Sequence, residues 1–288
     1  MLTILSKELK SYFFSATAYI FMGIFLFVSG IVFAVANALS RSPYFNQVLS
    51  GWVLFVFLVL TPVLTMRTLA EETKTKTDQL LFTSPQSIAS IVVGKYLAAV
   101  ALFGITLLST VLFPLILSIF GKMPVSEIVS TYLGFFLMGT CFVAIGVFIS
   151  SLTDNQVVAA IGTFGALLTL YIIDAIQNAL PNTMVSGIIF VAILILIICF
   201  IVYSSVKNII VTSGVFLVGA LTVVALYIKN KIMFEGFIGK FFSWFSVMKR
   251  YDTFNTGIIN VSSIIYYISF SFIFVFLTIR MIDKRRWS

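Results

Sequence analysis

Arg67-Thr68-Leu69-Ala70-Glu71-Glu72-Thr73-Lys74-Thr75-Lys76-Thr77-Asp78-Gln79-Leu80-Leu81-Phe82-Thr83-Ser84-Pro85 is a polar island between two apolar runs. Six charges fall within twelve of its residues: Arg67, Glu71, Glu72, Lys74, Lys76 and Asp78. Charge is costly inside a bilayer, so the island lies outside one and the flanking runs lie within it. Glu72 and Lys76 stand at i,i+4 and Glu71 and Lys74 at i,i+3, a spacing that predicts a short helix. Leu80, Leu81 and Phe82 would form one apolar knob beside it. Ser84 before Pro85 reads as an N-cap with proline at the first helical position. Residues 70–85 are thus expected to form a short, charged hairpin at the membrane surface, a shape suited to contact with a soluble partner.

The rest of the chain is built for lipid. Of its 288 residues, 60% are hydrophobic and only 10% are charged, too few to cover a soluble surface. Charge-free intervals run over 11–40, 42–66, 96–121, 128–153, 155–173, 175–206, 208–228 and 253–279. A spanning helix needs roughly 20 apolar residues, so each interval holds one span and none comfortably holds two. The expected fold is an all-α integral membrane protein, a polytopic helical bundle of about eight transmembrane helices. Seven or six spans would follow if a segment in 180–230 is only re-entrant. Residues 1–15 read as an N-terminal interfacial helix, with Leu2, Leu5, Leu9 and Phe13 on one face and Lys7, Glu8 and Lys10 off it. That pattern differs from a cleavable signal peptide.

Eight spans put both termini on one side. If that side is the cytoplasm, eleven basic residues lie inside and seven outside, five of the seven within 229–250. The positive-inside bias is weak only because of that segment. The net charge of +8 therefore reflects topology and calls for no nucleic acid. In 230–260, Phe234, Phe237, Phe241, Phe242, Trp244 and Phe245 alternate with Lys231, Glu235, Lys240, Lys249 and Arg250, a mixture suited to the headgroup level and expected here as an extracytoplasmic amphipathic segment.

Some features inside the spans carry local meaning. Pro62 removes a backbone hydrogen bond and is expected to kink the second span. Gly134, Gly139 and Gly146 allow close approach of a neighbouring helix, in the same chain or in another. Thr153 and Gln156 have capping-box spacing, so a new helix starts at that turn. Asp174 lies near the outer end of the fifth span and is the one ionisable group near membrane depth, a candidate for the pathway. Cys141 and Cys199 are isolated thiols with no metal-ligand spacing, and the chain has no histidine. Gly94-Lys95, Gly121-Lys122 and Gly239-Lys240 each lack the following Ser or Thr of a phosphate loop. Catalysis by this chain alone is not expected, and it is expected to bind no cofactor or metal.

The wording of the island, Arg-x-x-Ala-Glu-Glu followed by Thr-Asp-Gln-Leu-Leu-Phe-Thr-Ser-Pro, resembles the first cytoplasmic loop of ABC-2 type transporter permeases. The nearest branch is similar to the gliding-motility and nitrous-oxide-reductase-accessory permeases. Ser150-Ser151-Leu152-Thr153-Asp154-Asn155-Gln156 and the stretch from Met248 to Ile259 also resemble family segments. The resemblance covers 1–175 and 240–288, while the extra helix pair at 184–229 departs from the usual six-span pattern. It implies one permease domain over 1–288 in the cell membrane, with both termini cytoplasmic. It further implies a permease dimer, homo- or heteromeric, served by separate ATP-binding subunits that carry ATP and Mg. In the family the loop docks on the ATPase, which assigns coupling to Glu71, Glu72, Thr77, Asp78 and Leu80. A second, smaller cytoplasmic contact would use Thr153, Asp154 and Asn155. The expected function is the membrane subunit of an ATP-driven exporter. An ion-coupled secondary carrier would need more ionisable groups at mid-membrane. A membrane scaffold that recruits a soluble complex through the same loop is the third reading.

Overall fold

A computed structural model describes residues 1–40, 42, 45–77, 86–120, 123–179, 181, 183–229 and 234–287. No strand occurs among the described residues, as expected where every backbone polar group must be satisfied within lipid. Seven helices are long and apolar enough to cross a membrane, and Ile209–Val223 is a shorter apolar helical stretch at the seventh of the eight expected spans. The chain is thus a polytopic helical membrane protein. Its backbone divides into two units: Met1–Thr169 with Arg250–Ser288, and Leu170–Lys249.

The first unit begins with α1 (Leu2–Phe14) and α2 (Ala16–Phe33), which continues as a π-helix over Ala34–Leu39. After α3 (Asn46–Ser50) comes α4 (Trp52–Thr65), which holds Pro62 without ending there. The donor that Pro62 lacks would have served Leu58 O, and beside it Thr61 Oγ1 donates back to Phe57 O at 2.8 Å, a bond of the kind that bends helices. A turn leads to α5 (Ala70–Thr75), the short helix that the charge spacing predicted. Then follow α6 (Ile88–Ser109), α7 (Leu112–Phe120) and α8 (Val125–Leu152). The unit also takes the first half of α9 (Gln156–Ala179) and, at its end, most of α13 (Met248–Asn255) and all of α14 (Val261–Trp287).

Helix α8 is the centre of this unit. It packs against α4, α6 and α14 and buries residues on every side. Helix association within lipid depends on close packing and not on expulsion of water, so small residues decide where it happens. A Cβ on Gly134 would strike Phe254, one on Gly139 would strike Phe103 of α6, and one on Gly146 would strike Thr65 of α4. The neighbours left open by the sequence therefore lie in the same chain. Around these contacts sits an aromatic core. Phe57 is 4.5 Å from Phe103 and 5.3 Å from Phe135, ring centre to ring centre. Polar bonds fasten α14 to α8: Cys141 Sγ donates to Tyr267 O at 3.1 Å and Ser271 Oγ donates to Cys141 Sγ at 3.4 Å.

The second unit holds the rest of α9, α10 (Met184–Val206), α11 (Ile209–Lys229) and α12 (Phe237–Phe245). Its α10 and α11 pack as a hairpin. This is the extra pair seen in the sequence, now in a unit of its own with the aromatic-basic segment. Phe190 of α10 packs on Phe241 and Phe242 of α12 at 5.3 and 5.8 Å. Trp244 is exposed, as the amphipathic reading of this segment requires.

Gly139→Leu should destabilise the first unit by about 1–3 kcal/mol, the usual cost of forcing side chain into a packed core. Thermal unfolding of the purified protein measures it. Gly165→Ala is the control: nothing stands within 4 Å of its Cβ and alanine favours the helix, so its melting temperature should stay at or slightly above the parent's.

Candidate functional site: a clasped surface helix at one end of the bundle

Helix α5 is only six residues long, too short to persist in water without outside support. Support comes from three other helices. Ser150 Oγ, near the end of α8, accepts from Leu69 N at 3.2 Å and Ala70 N at 3.1 Å and donates to Met66 O at 3.2 Å. One hydroxyl from a distant helix thus satisfies free backbone donors at the start of α5, as an N-cap would. At the other end, Lys76 adopts the left-handed conformation with φ 56. Thr77 N donates to Glu72 O at 3.0 Å and Lys76 N to Thr73 O at 3.3 Å, the paired bonds of a Schellman motif. On its flank, Arg285 from the end of α14 donates to Thr73 Oγ1 at 3.3 Å.

The strongest contact is electrostatic. Lys95, about two turns into α6, is 3% exposed and sits between two carboxylates. Its Nζ lies 3.0 Å from Glu8 Oε1 of α1 and 2.7 Å from Glu72 Oε1 of α5. The carboxylates keep 19% and 21% exposure, so water offsets part of their desolvation while the ammonium is matched on two sides. Gly94 makes the approach of α1 possible, because a Cβ there would meet Ile4 at 2.9 Å. Tyr12, one turn beyond Glu8, donates to Leu64 O at 3.3 Å. Burial pushes its phenol above the ordinary range and the Glu8 carboxylate adds to the shift, so it stays a donor at neutral pH.

The sequence reading changes in three details. Glu72 reaches Lys95 and not Lys76, because the helix has turned left-handed at Lys76 before an i,i+4 pair can form. Glu8 belongs to the half-buried face of α1, with Ile4 and Tyr12, because Lys95 awaits it there. At the 153–155 turn, Asn155 Oδ1 accepts from Val157 N at 2.9 Å while Thr153 Oγ1 accepts from Asn155 N at 3.1 Å. The cap of α9 is therefore Asn155, and the Thr153–Gln156 box is not formed.

Of the residues expected to couple, Glu71 and Thr77 are exposed on α5 and its end, while Glu72 points inward as part of the clasp. Asp78, Leu80, Ser84 and Pro85 lie outside the described residues, and the described cap of α6 is Ser87, which accepts from Ser90 N at 3.3 Å. Thr153, Asp154 and Asn155 follow α8 directly, three to five residues beyond the Ser150 that caps α5. Asp174 belongs to the second unit, where Ser246 Oγ donates to its Oδ2 at 2.7 Å. Sequence reasoning missed Lys95, Ser150 and Arg285 as parts of this site. The available signal was Lys95 itself, a charge set seven residues inside an otherwise apolar helix beside a glycine.

Taken together, these contacts define a multi-spanning membrane protein with a braced, charged helix at one end of its bundle. The family model for ABC-2 family transporter proteins matches residues 35–184, just over half of the chain. The chain belongs to that family. It is accordingly a membrane permease subunit of the ABC transporter class, with transport and not catalysis as its role. A comparison with curated proteins returns no match. The matched segment contains α5, Lys95 and Ser150, and it ends where the extra pair begins.

If Lys95 is held by both carboxylates, the effects of losing them are not additive. Glu8→Gln or Glu72→Gln alone leaves one anion beside the ammonium. The double substitution leaves none, so its loss of stability should exceed the sum of the two by about 1–2 kcal/mol. Thermal melts of the four proteins give the value, and simple additivity would mean that only one carboxylate holds the lysine.

Proposed function

We propose that this chain is the permease of an ATP-driven exporter and that the 70–85 hairpin docks on a separate ATP-binding subunit. The observation that carries the reading is α5. It is capped by Ser150, held by Glu72 on Lys95 and tied by Arg285, while Glu71, Lys74, Lys76 and Thr77 remain exposed. A helix braced from three spans passes a push at its surface on to those spans, whereas a loose loop absorbs it. In this reading Glu72 positions the hairpin and Glu71 and Thr77, with Asp78 and Leu80, meet the partner. Thr153, Asp154 and Asn155 add a smaller contact. ATP and Mg belong to that partner. Two permeases pair in the cell membrane with both termini in the cytoplasm, and the wording of the hairpin favours the gliding-motility and nitrous-oxide-reductase-accessory branch.

Glu71→Arg reverses an exposed charge without touching the clasp. It should leave the melting temperature unchanged and weaken co-purification with the ATP-binding subunit, with a matching loss of stimulated ATP hydrolysis. Undiminished complex and undiminished stimulation would count against the docking surface. The same reading makes α12 extracytoplasmic. Single cysteines at Ser243 and Trp244, in a background lacking Cys141 and Cys199, should react with an impermeant thiol reagent in intact cells, and reaction only after lysis would invert the topology.

An ATP-driven route needs no titratable relay. Asp174→Asn keeps an acceptor for Ser246 and should leave ATP-dependent transport within a few-fold of the parent. Transport that stops when the proton gradient is collapsed at constant ATP would return the protein to the ion-coupled class.

A further inference from the structure

Between α1, the start of α2 and the turn leaving α4 lies a polar cavity of about 160 Å³. The spans themselves set its level. Ser15 and Thr17 stand at the first residues of α2, and Arg67 and Thr68 stand just past the last residue of α4. These are matching ends of two packed spans, so the cavity lies where a bilayer places its headgroups.

Its walls carry both signs of charge. Arg67 donates to Thr17 Oγ1 at 3.3 Å and enters no ion pair among the described residues. Glu71 lines the same cavity and also enters none. Glu8 gives Oε1 to Lys95 and has a second carboxylate oxygen beyond that bond. A guanidinium and a carboxylate four residues apart, each without the other, are complementary to one ligand that carries an anion and a cation together.

We propose that this cavity binds the headgroup of an ethanolamine phospholipid, with the phosphate on Arg67 and the ammonium between Glu71 and Glu8. Guanidinium suits a phosphate because its planar fork can donate two bonds at once. A primary ammonium donates hydrogen bonds to carboxylates. Choline cannot, having no N–H, and depends on aromatic cages, whereas Tyr12 is the one ring in this lining. A phosphatidylglycerol headgroup brings no cation to the two carboxylates and sets its own negative charge against theirs. The volume equals roughly five liquid waters, room for a compact headgroup. The inference goes beyond the transport reading by giving Glu71 a second role beside the partner contact, and its test on the purified chain needs no ATPase partner.

The test uses the purified full-length chain in detergent, titrated with dioleoyl phosphatidylethanolamine, phosphatidylcholine or phosphatidylglycerol and read by native mass spectrometry and thermal melts. The ethanolamine lipid should be retained about tenfold better than the other two, the value of one charge-assisted hydrogen bond. Glu71→Gln should bring the three lipids towards parity, and Arg67→Ala should weaken the retention of all three. Soluble phosphoethanolamine at matched concentration should leave the lipid in place. Equal retention of all three lipids by the parent overturns the proposal, as does an ethanolamine preference that survives Glu71→Gln or lipid retention that Arg67→Ala leaves unchanged. Displacement by soluble phosphoethanolamine as readily as by lipid would make the occupant a cytosolic solute and overturn the lipid assignment. If Arg67→Ala does not fold, Glu71→Gln decides, since that residue is exposed and outside the bundle core.

Discussion

A buried ammonium has to be matched, and Lys95 is matched by carboxylates from two other helices. Removing a partner from a buried charge costs about 3–5 kcal/mol when nothing replaces it, somewhat less here because both carboxylates touch water. That penalty is what locates α1 and α5. The first is an amphipathic helix with no fully buried residue, and the second is a six-residue helix that could not form alone. Both are held at the end of the bundle because α6 carries a charge there that only they neutralise. The exposed surface of α5 is therefore a consequence of electrostatics inside the protein as much as of the residues on the surface itself.

Beneath the clasp, the bundle follows a different rule. In lipid there is no water to expel from between apolar helices, so contact area and fit decide the arrangement. The three glycines of α8 let α4, α6 and the Phe254 side chain come close, and the space they leave is filled by phenylalanine rings and a threonine. Ser150, on the same helix, caps α5. A shift of α5 would therefore be felt by the helix around which the unit is packed, a short mechanical path that needs no chain of intermediate residues.

The family match ends at residue 184, and the second unit takes in the extra helix pair and the aromatic-basic segment. The part shared with the family thus contains the central helix and the α5, Lys95 and Ser150 members of the clasp, while Glu8 and Arg285 lie outside it. The added unit has its own packing, with Phe190 on the aromatic face of α12 and Asp174 bonded to Ser246. Ser246 satisfies Asp174 Oδ2, while Oδ1 is buried without a hydrogen-bond partner among the described residues.

Much of this was legible in the chain itself. Charge-free runs of roughly twenty residues mark spans because lipid tolerates neither charge nor unpaired backbone, and that constraint acts locally on every segment. The charged island was readable as an exposed helix for the same reason, and its wording pointed to the family. What the residues could not disclose was pairing. Glu72 had a suitable partner four residues away in Lys76, and nothing local shows that the helix turns left-handed first or that Lys95 lies 2.7 Å off on another helix. Ser150 reads as one more serine before a turn until α5 is folded against it. Spacing along a chain governs which elements form. Which side chains meet across elements depends on packing of the whole bundle, and only the tertiary structure contains that information.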